Sequence, residues 1–471
     1  MSANLYWLRR DLRFHDNPAL AAARSSAGLR PVFAVYSVAE LAALNHRQQA
    51  FVVGCLGDMR AAGQRRDFTV SMLSGDPVAA IVAAARRLDA AAVYCARSYS
   101  PGERRLESDV AAALGAAGIA LHASSGNLVH EPEAVAELKQ AAGAGYRVFP
   151  PFFERWQSLS VAPAGPASWP SGRDPDMGLL PDLSAPLAPP EPACTELSAR
   201  KTLTAFCGGR LADYATNGEY PARDGTSHLA ASLRFGTLSA REVYRMVATA
   251  MDRSWTLSQE RESMKLFLRR LALRDFYTHL AFFAPESHDV ELQVKMRAGT
   301  PADDADRLEA WANGRTGYPF VDAAMRQLAR EGQVHQRAAI VAASFCCFDL
   351  GLDWRAGRNL WMAQLLAADE ALCDANWQRI AGVGTDQAGY PRIYNPTKQA
   401  RHFDAQAVYV RRYCPELGRL PTGAALAPWE LARQQQIELG FFTARHYPPP
   451  IVDHDTAARA ALRRYKAQRS R

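Results

Sequence analysis

An indole can give up an electron and stabilise the resulting cation radical, and Trp311, Trp354 and Trp377 stand in the second half of the chain. If such rings lay close together, a positive charge would hop along them. Read by themselves they are core or capping aromatics, because large rings supply much of a protein's buried area. A second feature is the run Gly225-Thr226-Ser227-His228-Leu229-Ala230. A Gly-Thr-Ser turn opening a helix offers unspent N–H groups, two hydroxyls and a positive dipole end to a pyrophosphate. It is also an ordinary N-cap. None of the eight cysteines forms a C-x-x-C pair, which argues against zinc or iron–sulfur chemistry. Reduced, mostly buried thiols are the simpler reading.

The elements that must position these residues fall into two regimes. Over the first 130 residues, short apolar runs (Leu5–Leu8, Pro31–Tyr36, Phe68–Leu73, Ala91–Cys95, Ile119–His122) alternate with helical segments such as Arg47–Met59, Pro77–Leu88 and Arg104–Leu114. Strands spaced by helices predict βαβ crossovers and a parallel sheet covered on both faces. No G-x-G-x-x-G follows the first strand, so a dinucleotide on this sheet is not indicated. Residues 161–193 hold nine prolines, a composition suited to a linker. Beyond Ala199 the pattern turns helical, with helices predicted over Glu262–Phe283, Phe320–Ala329, Ile340–Phe348 and Trp361–Leu372. The expected domains are an α/β domain at 1–130, a linker at 131–199 and an all-α domain at 200–471.

The net charge is +7, with 49 Arg and only 6 Lys. A phosphate-bearing partner such as DNA fits this balance, as does a solvated arginine-rich helix face. No apolar run approaches the length of a membrane span, and the N-terminus lacks a secretory pattern. A cytoplasmic monomer without a membrane partner is expected.

Three longer stretches stand out. The first is Trp7-Leu8-Arg9-Arg10-Asp11-Leu12-Arg13-Phe14-His15-Asp16-Asn17-Pro18-Ala19-Leu20. The second is Gly225–Leu229 followed by Gly236-Thr237-Leu238-Ser239-Ala240-Arg241. The third runs from Trp311-Ala312-Asn313-Gly314-Arg315-Thr316-Gly317-Tyr318-Pro319 through Asp353-Trp354-Arg355, Asn376-Trp377-Gln378 and Ala381–Asp386 to Arg392-Ile393-Tyr394-Asn395-Pro396. Spread in register over nearly the whole chain, they resemble the photolyase/cryptochrome family. The resemblance implies an α/β domain followed by a helical domain that binds FAD. It assigns cofactor contacts to Tyr214, Thr226, Ser227, His228, Leu229, Ala230, Phe267, Arg270, Gln336 and Asp369, and DNA contacts to Arg274, Arg337 and Gln399. It makes Trp311, Trp354 and Trp377 an electron relay and sets Cys373 beside flavin N5. A folate- or deazaflavin-type antenna is a further implication, with Glu103 at a folate-contacting position.

The sequence also departs from the repair enzymes of that family. Arg270 stands where a lesion-binding Glu is usual, Leu273 and Arg379 replace two stacking Trp, Ile340 replaces a Met and Gln336 an Asn. An Arg–Asp pair beside the flavin becomes Ala339 and Ala367, and an Arg becomes Gly218. Base stacking on an aromatic is worth about 1–3 kcal/mol per ring, so a lesion would lose several kcal/mol here unless other contacts replace it. An intact relay beside an altered lesion pocket favours a light sensor acting on a signalling protein. The alternative is a DNA photolyase that splits pyrimidine dimers by electron donation from reduced FAD.

Overall fold

The computed structural model describes residues 3–25, 32–64, 68–137, 145–163, 194–253, 257–297, 301–302, 304–385 and 390–469. Most of the expected proline-rich linker (164–193) and Asp386 of the third motif lie outside the described residues. The chain groups into two compact units. One holds Met1–Ala212 and Ser227–Pro285, the other Asp213–Thr226 and Glu286–Arg471.

The first unit is built on the predicted parallel sheet: β1 (Ala3–Trp7), β2 (Val32–Ser37), β3 (Thr69–Leu73), β4 (Ala90–Ala96) and β5 (Ala120–Ser124). The order is β3-β2-β1-β4-β5, with every pair parallel. Central strands β1 and β2 are buried throughout, because helices cover both faces, whereas the edge strand β5 is largely exposed. The first motif forms a hydrogen-bonded structural cluster. Asn17 Nδ2 donates to Tyr6 Oη (2.7 Å) and to the carbonyls of Asp11 (3.1 Å) and Arg13 (3.0 Å). Tyr6 donates a short bond to Asp11, and Arg13 reaches the carbonyl of Gly236 at 2.9 Å. Gly236 (φ +73°) must be glycine, since a Cβ would lie 2.6 Å from the Arg10 carbonyl carbon. The helix Ser258–Phe283 is longer than predicted and is pinned by Asp275, whose carboxylate accepts from Val129 N (2.9 Å) and Trp156 Nε1 (3.0 Å).

The second unit is helical and organises one core around Trp311, Phe320, Val341, Phe345, Trp354, Trp377 and Tyr409. Two predicted helices need correction. Trp361–Leu372 is not one helix: Trp354–Gln364 ends, and Glu370–Ala381 begins after an extended Leu365 and the N-cap Asp369. The break holds because Leu366 N–H bonds to the carbonyl of Gly332 (2.8 Å) instead of continuing the helix. Ile340–Phe348 is likewise divided into the helix Gln336–Ser344 and a π-helical turn Phe345–Asp349. Periodicity cannot reveal such a turn, because the apolar run continues through it.

Candidate functional site

The indoles sit on three short helices whose starts are fixed by acidic caps. Asp304 caps Ala305–Ala312, Asp353 caps Trp354–Gln364 and Asp369 caps Glu370–Ala381, each side chain accepting a backbone N–H of the first turn. Trp311, Trp361 and Trp377 form a contiguous cluster. Ring centroids are 6.1 Å apart for Trp311–Trp377, 6.4 Å for Trp311–Trp361 and 5.2 Å for Trp361–Trp377. Trp354 shares no ring contact with them among the described residues. Its helix nevertheless lies against Trp377 through Gly357, where a Cβ would fall 2.6 Å from Cζ3 of that ring and 3.2 Å from Cys346 Sγ.

The four rings differ in what their N–H groups meet. Trp311 donates to the carbonyl of Ala342 at 3.0 Å, and Trp361 Nε1 is buried with no acceptor among the described residues. Trp354 Nε1 donates to the Glu291 carboxylate at 3.3 Å, while Arg355 and Arg358 stand 4.7 and 5.2 Å from its ring centre. All four rings are buried, none being more than 7% exposed. Sequence reasoning missed Trp361. The signal was its spacing of seven from Trp354, which sets both rings on one side of a helix.

Beside the cluster runs a charged web. Buried Arg358 pairs with Asp374 (2.8 Å) and Asp289 (2.9 Å) and also donates to the His288 carbonyl. His288 Nδ1 meets the second oxygen of Asp374 at 2.7 Å, and this bond raises the His288 pKa. Cys373 is half-buried, one turn before Trp377 on the same helix. Asp369, expected to face a flavin, is buried and accepts from Leu372 N as the N-cap (3.2 Å). Gln336 opens its helix after the N-cap His335, whose Nε2 contacts the carbonyl of Gly218 at 3.1 Å. Gly218 has a structural reason of its own: a Cβ there would lie 2.7 Å from the carbonyl oxygen of Tyr214.

The expected phosphate turn divides at the unit boundary, with Tyr214 and Thr226 in the second unit and Ser227 to Ala230 in the first. In the first unit, His228 takes a positive φ (55°) and the helix Ala230–Phe235 begins without a side-chain cap at Leu229. Among the described residues no side chain caps its first turn, an arrangement compatible with an anionic group such as a pyrophosphate there. Phe267 packs against Phe206 with tilted rings whose centroids lie 4.9 Å apart, and Arg270 lies half-buried on the same helix. These donors and apolar surfaces fit the FAD that the sequence implies.

Two expected DNA contacts are committed to the fold. Arg274 donates to the carbonyls of Asn127 (2.7 Å) and Leu233 (3.1 Å), and Arg337 pairs with Glu219 while lying 4.3 Å over Phe403. The Oε1 of Gln399 is buried with no hydrogen-bond partner among the described residues. Arg379 and Arg392 make no ion pair or side-chain hydrogen bond among the described residues. They line a small hollow with Tyr394 and Tyr390, the latter 61% exposed with Lys466 at 5.6 Å from its ring. Glu103, the expected antenna contact, is ion-paired with Arg10 at 2.6 Å. Among the described residues there is no cluster able to hold a metal, all eight cysteines are free, and no helix is long and apolar enough to cross a membrane.

The chain thus combines a parallel α/β sheet with a helical unit that gathers indoles in its core. Family models for DNA photolyase and for the FAD-binding domain of DNA photolyase match residues 4–170 and 267–467. A deoxyribodipyrimidine photo-lyase of Synechococcus is 34% identical, covering 96% of this chain and 94% of its own. Among solved structures, a bacterial class III photolyase from Agrobacterium tumefaciens superposes with a TM-score of 0.89 at 29% identity, covering 100% of this chain and 98% of its own. A Synechocystis cryptochrome gives 0.86 at 25% identity, covering 98% and 99%. The chain therefore belongs to the photolyase/cryptochrome family and carries that family's FAD-binding domain.

Proposed function

We propose that this protein is a DNA photolyase that uses FAD and blue light to split pyrimidine dimers. The relatives move the weight to this reading and away from the sensor that the altered pocket favoured, since they are photolyases for the most part. Bound FAD would supply light-driven one-electron chemistry. The residues proposed to hold it are Tyr214, Thr226, Ser227, His228, Leu229, Ala230, Phe267, Arg270, Gln336 and Asp369, with Cys373 at the flavin edge. Trp377 would be the first indole to give an electron, with Trp311, Trp354 and Trp361 taking up the positive charge.

The observation that carries the repair reading is the basic, aromatic patch of Arg379, Arg392, Tyr390 and Lys466. Two unpaired guanidiniums next to an exposed ring suit a phosphate beside an unstacked base. Arg379 would thereby compensate part of what the missing Trp removes. Arg274, Arg337 and Gln399 would then act mainly by shaping the surface. The experiment is light-dependent loss of cyclobutane dimers from irradiated DNA by the FAD-loaded chain. Repair that disappears in Arg379→Ala supports the reading, and a lack of repair by the photoreducible protein defeats it. A sensor remains the second reading, favoured by the commitment of Arg274 and Arg337 to protein partners.

A further inference from the structure

We infer that Glu291 is the proton acceptor for oxidised Trp354, making Trp354 the site where the migrating positive charge is trapped; this rests on the relay reading given above. The step balances simply. Trp354 passes one electron towards the Trp377 cluster, and its Nε1 proton moves to a Glu291 carboxylate oxygen. A neutral indolyl radical and a neutral carboxylic acid result.

The geometry separates Trp354 from the other relay rings. Of Trp311, Trp354 and Trp361, Trp354 alone points its N–H at a carboxylate among the described residues. Trp311 faces a backbone carbonyl, which cannot hold a proton, and Trp361 faces no described acceptor. The charges around Trp354 also favour oxidation there. Arg355 and Arg358 flank the ring, but they are paired with Glu291, Asp353, Asp289 and Asp374, so acids outnumber guanidiniums in this web. His288 Nδ1 contacts the far oxygen of Asp374 at 2.7 Å and so belongs to the same web.

An exit for the proton is present as well. Glu291 and Trp354 both line a cleft of about 760 Å³ in the second unit, walled by Arg297, Leu352, Ala461 and Arg464. Glu291 retains 13% side-chain exposure against 4% for the indole, so the acid meets solvent more readily than the ring does. A proton parked on Glu291 could leave to water while the radical stays shielded.

The test is transient absorption of the FAD-loaded full chain after a blue flash, reading the conversion of the tryptophanyl cation radical to the neutral radical. In the parent protein that conversion should slow in deuterated solvent. Glu291→Gln keeps an oxygen for the N–H but cannot take its proton, so the cation radical should persist at least about tenfold longer and recombine more. Glu291→Asp should restore part of the conversion. Asp353→Asn removes a nearby charge that does not touch the N–H, and should leave the conversion rate unchanged. Equal rates in the parent and in Glu291→Gln overturn the inference. So does equal slowing in Asp353→Asn, which would point to the local field alone. If Trp354→Phe leaves the radical signal unaltered, the relay reading itself has failed, and with it this role for Glu291. Matching thermal midpoints show that the variants are folded.

Discussion

Replacing Gly357 by Ala sets two well-known effects against each other. In a helix interior, Gly→Ala should stabilise by about 0.5–1 kcal/mol, because alanine has less backbone freedom to lose. Here the new methyl carbon would stand 2.6 Å from Cζ3 of Trp377 and 3.2 Å from Cys346 Sγ. Both partners sit in the fully packed core, so the ring must move by roughly an ångström to reach ordinary contact. Overpacking of this kind costs about 1–3 kcal/mol. The collision therefore wins, and the net loss should be about 0.5–2 kcal/mol. Chemical unfolding of the parent and of Gly357→Ala measures it, and flavin photoreduction in the same samples should fall as Trp377 leaves its place. In a Trp377→Phe background the smaller ring leaves room, so the cost of Gly357→Ala should shrink by 1 kcal/mol or so. A Gly357→Ala protein that is more stable than the parent, with unchanged photoreduction, would refute the close helix–indole packing.

Two further outcomes follow from buried titratable groups. Burial among aromatic rings lowers the His279 pKa to about 4, and its Nε2 accepts the Tyr146 N–H at 2.8 Å, so protonation breaks that bond. The unfolded chain takes up this proton near pH 6.5 and the folded one only near 4, so stability is present above pH 6.5 and is lost as the pH falls towards 4. The loss should reach up to about 3 kcal/mol from this histidine; it is measured by urea unfolding from pH 7 to 4, and His279→Phe should flatten the profile. Asp374→Ala should cost about 3 kcal/mol, because it leaves Arg358, only 5% exposed, with the solvent-facing Asp289 as its remaining acid. A loss below 1 kcal/mol in the same assay would mean that Asp289 suffices.

Much of this architecture is legible in the residues. The five strands could be read because each is a short apolar run closed by a turn or helix signal, and their ends shift by only a residue or two. The break between Gln364 and Glu370 was hidden, since Ala, Leu and Met surround it and helix propensity stays high. Its cause is the bond from Leu366 to Gly332, a residue distant in sequence, which no local pattern carries. The site shows the same division. The resemblance put forward Trp311, Trp354 and Trp377, whereas Trp361, seven residues after Trp354, went unread and Glu291, in a non-helical segment, met the Trp354 N–H only in the folded chain. Asp369, read as a flavin neighbour, also starts a helix as its N-cap. Gly218 read as a lost arginine, and the structure adds that Tyr214 leaves no space for any side chain there.

The most direct test is the absorption spectrum of the FAD-loaded protein before and after blue light, in the parent and in Trp377→Phe. The account predicts that the oxidised flavin bands of the parent bleach under an external reductant and that the variant barely responds. Equal bleaching in both proteins would contradict an electron path through these indoles.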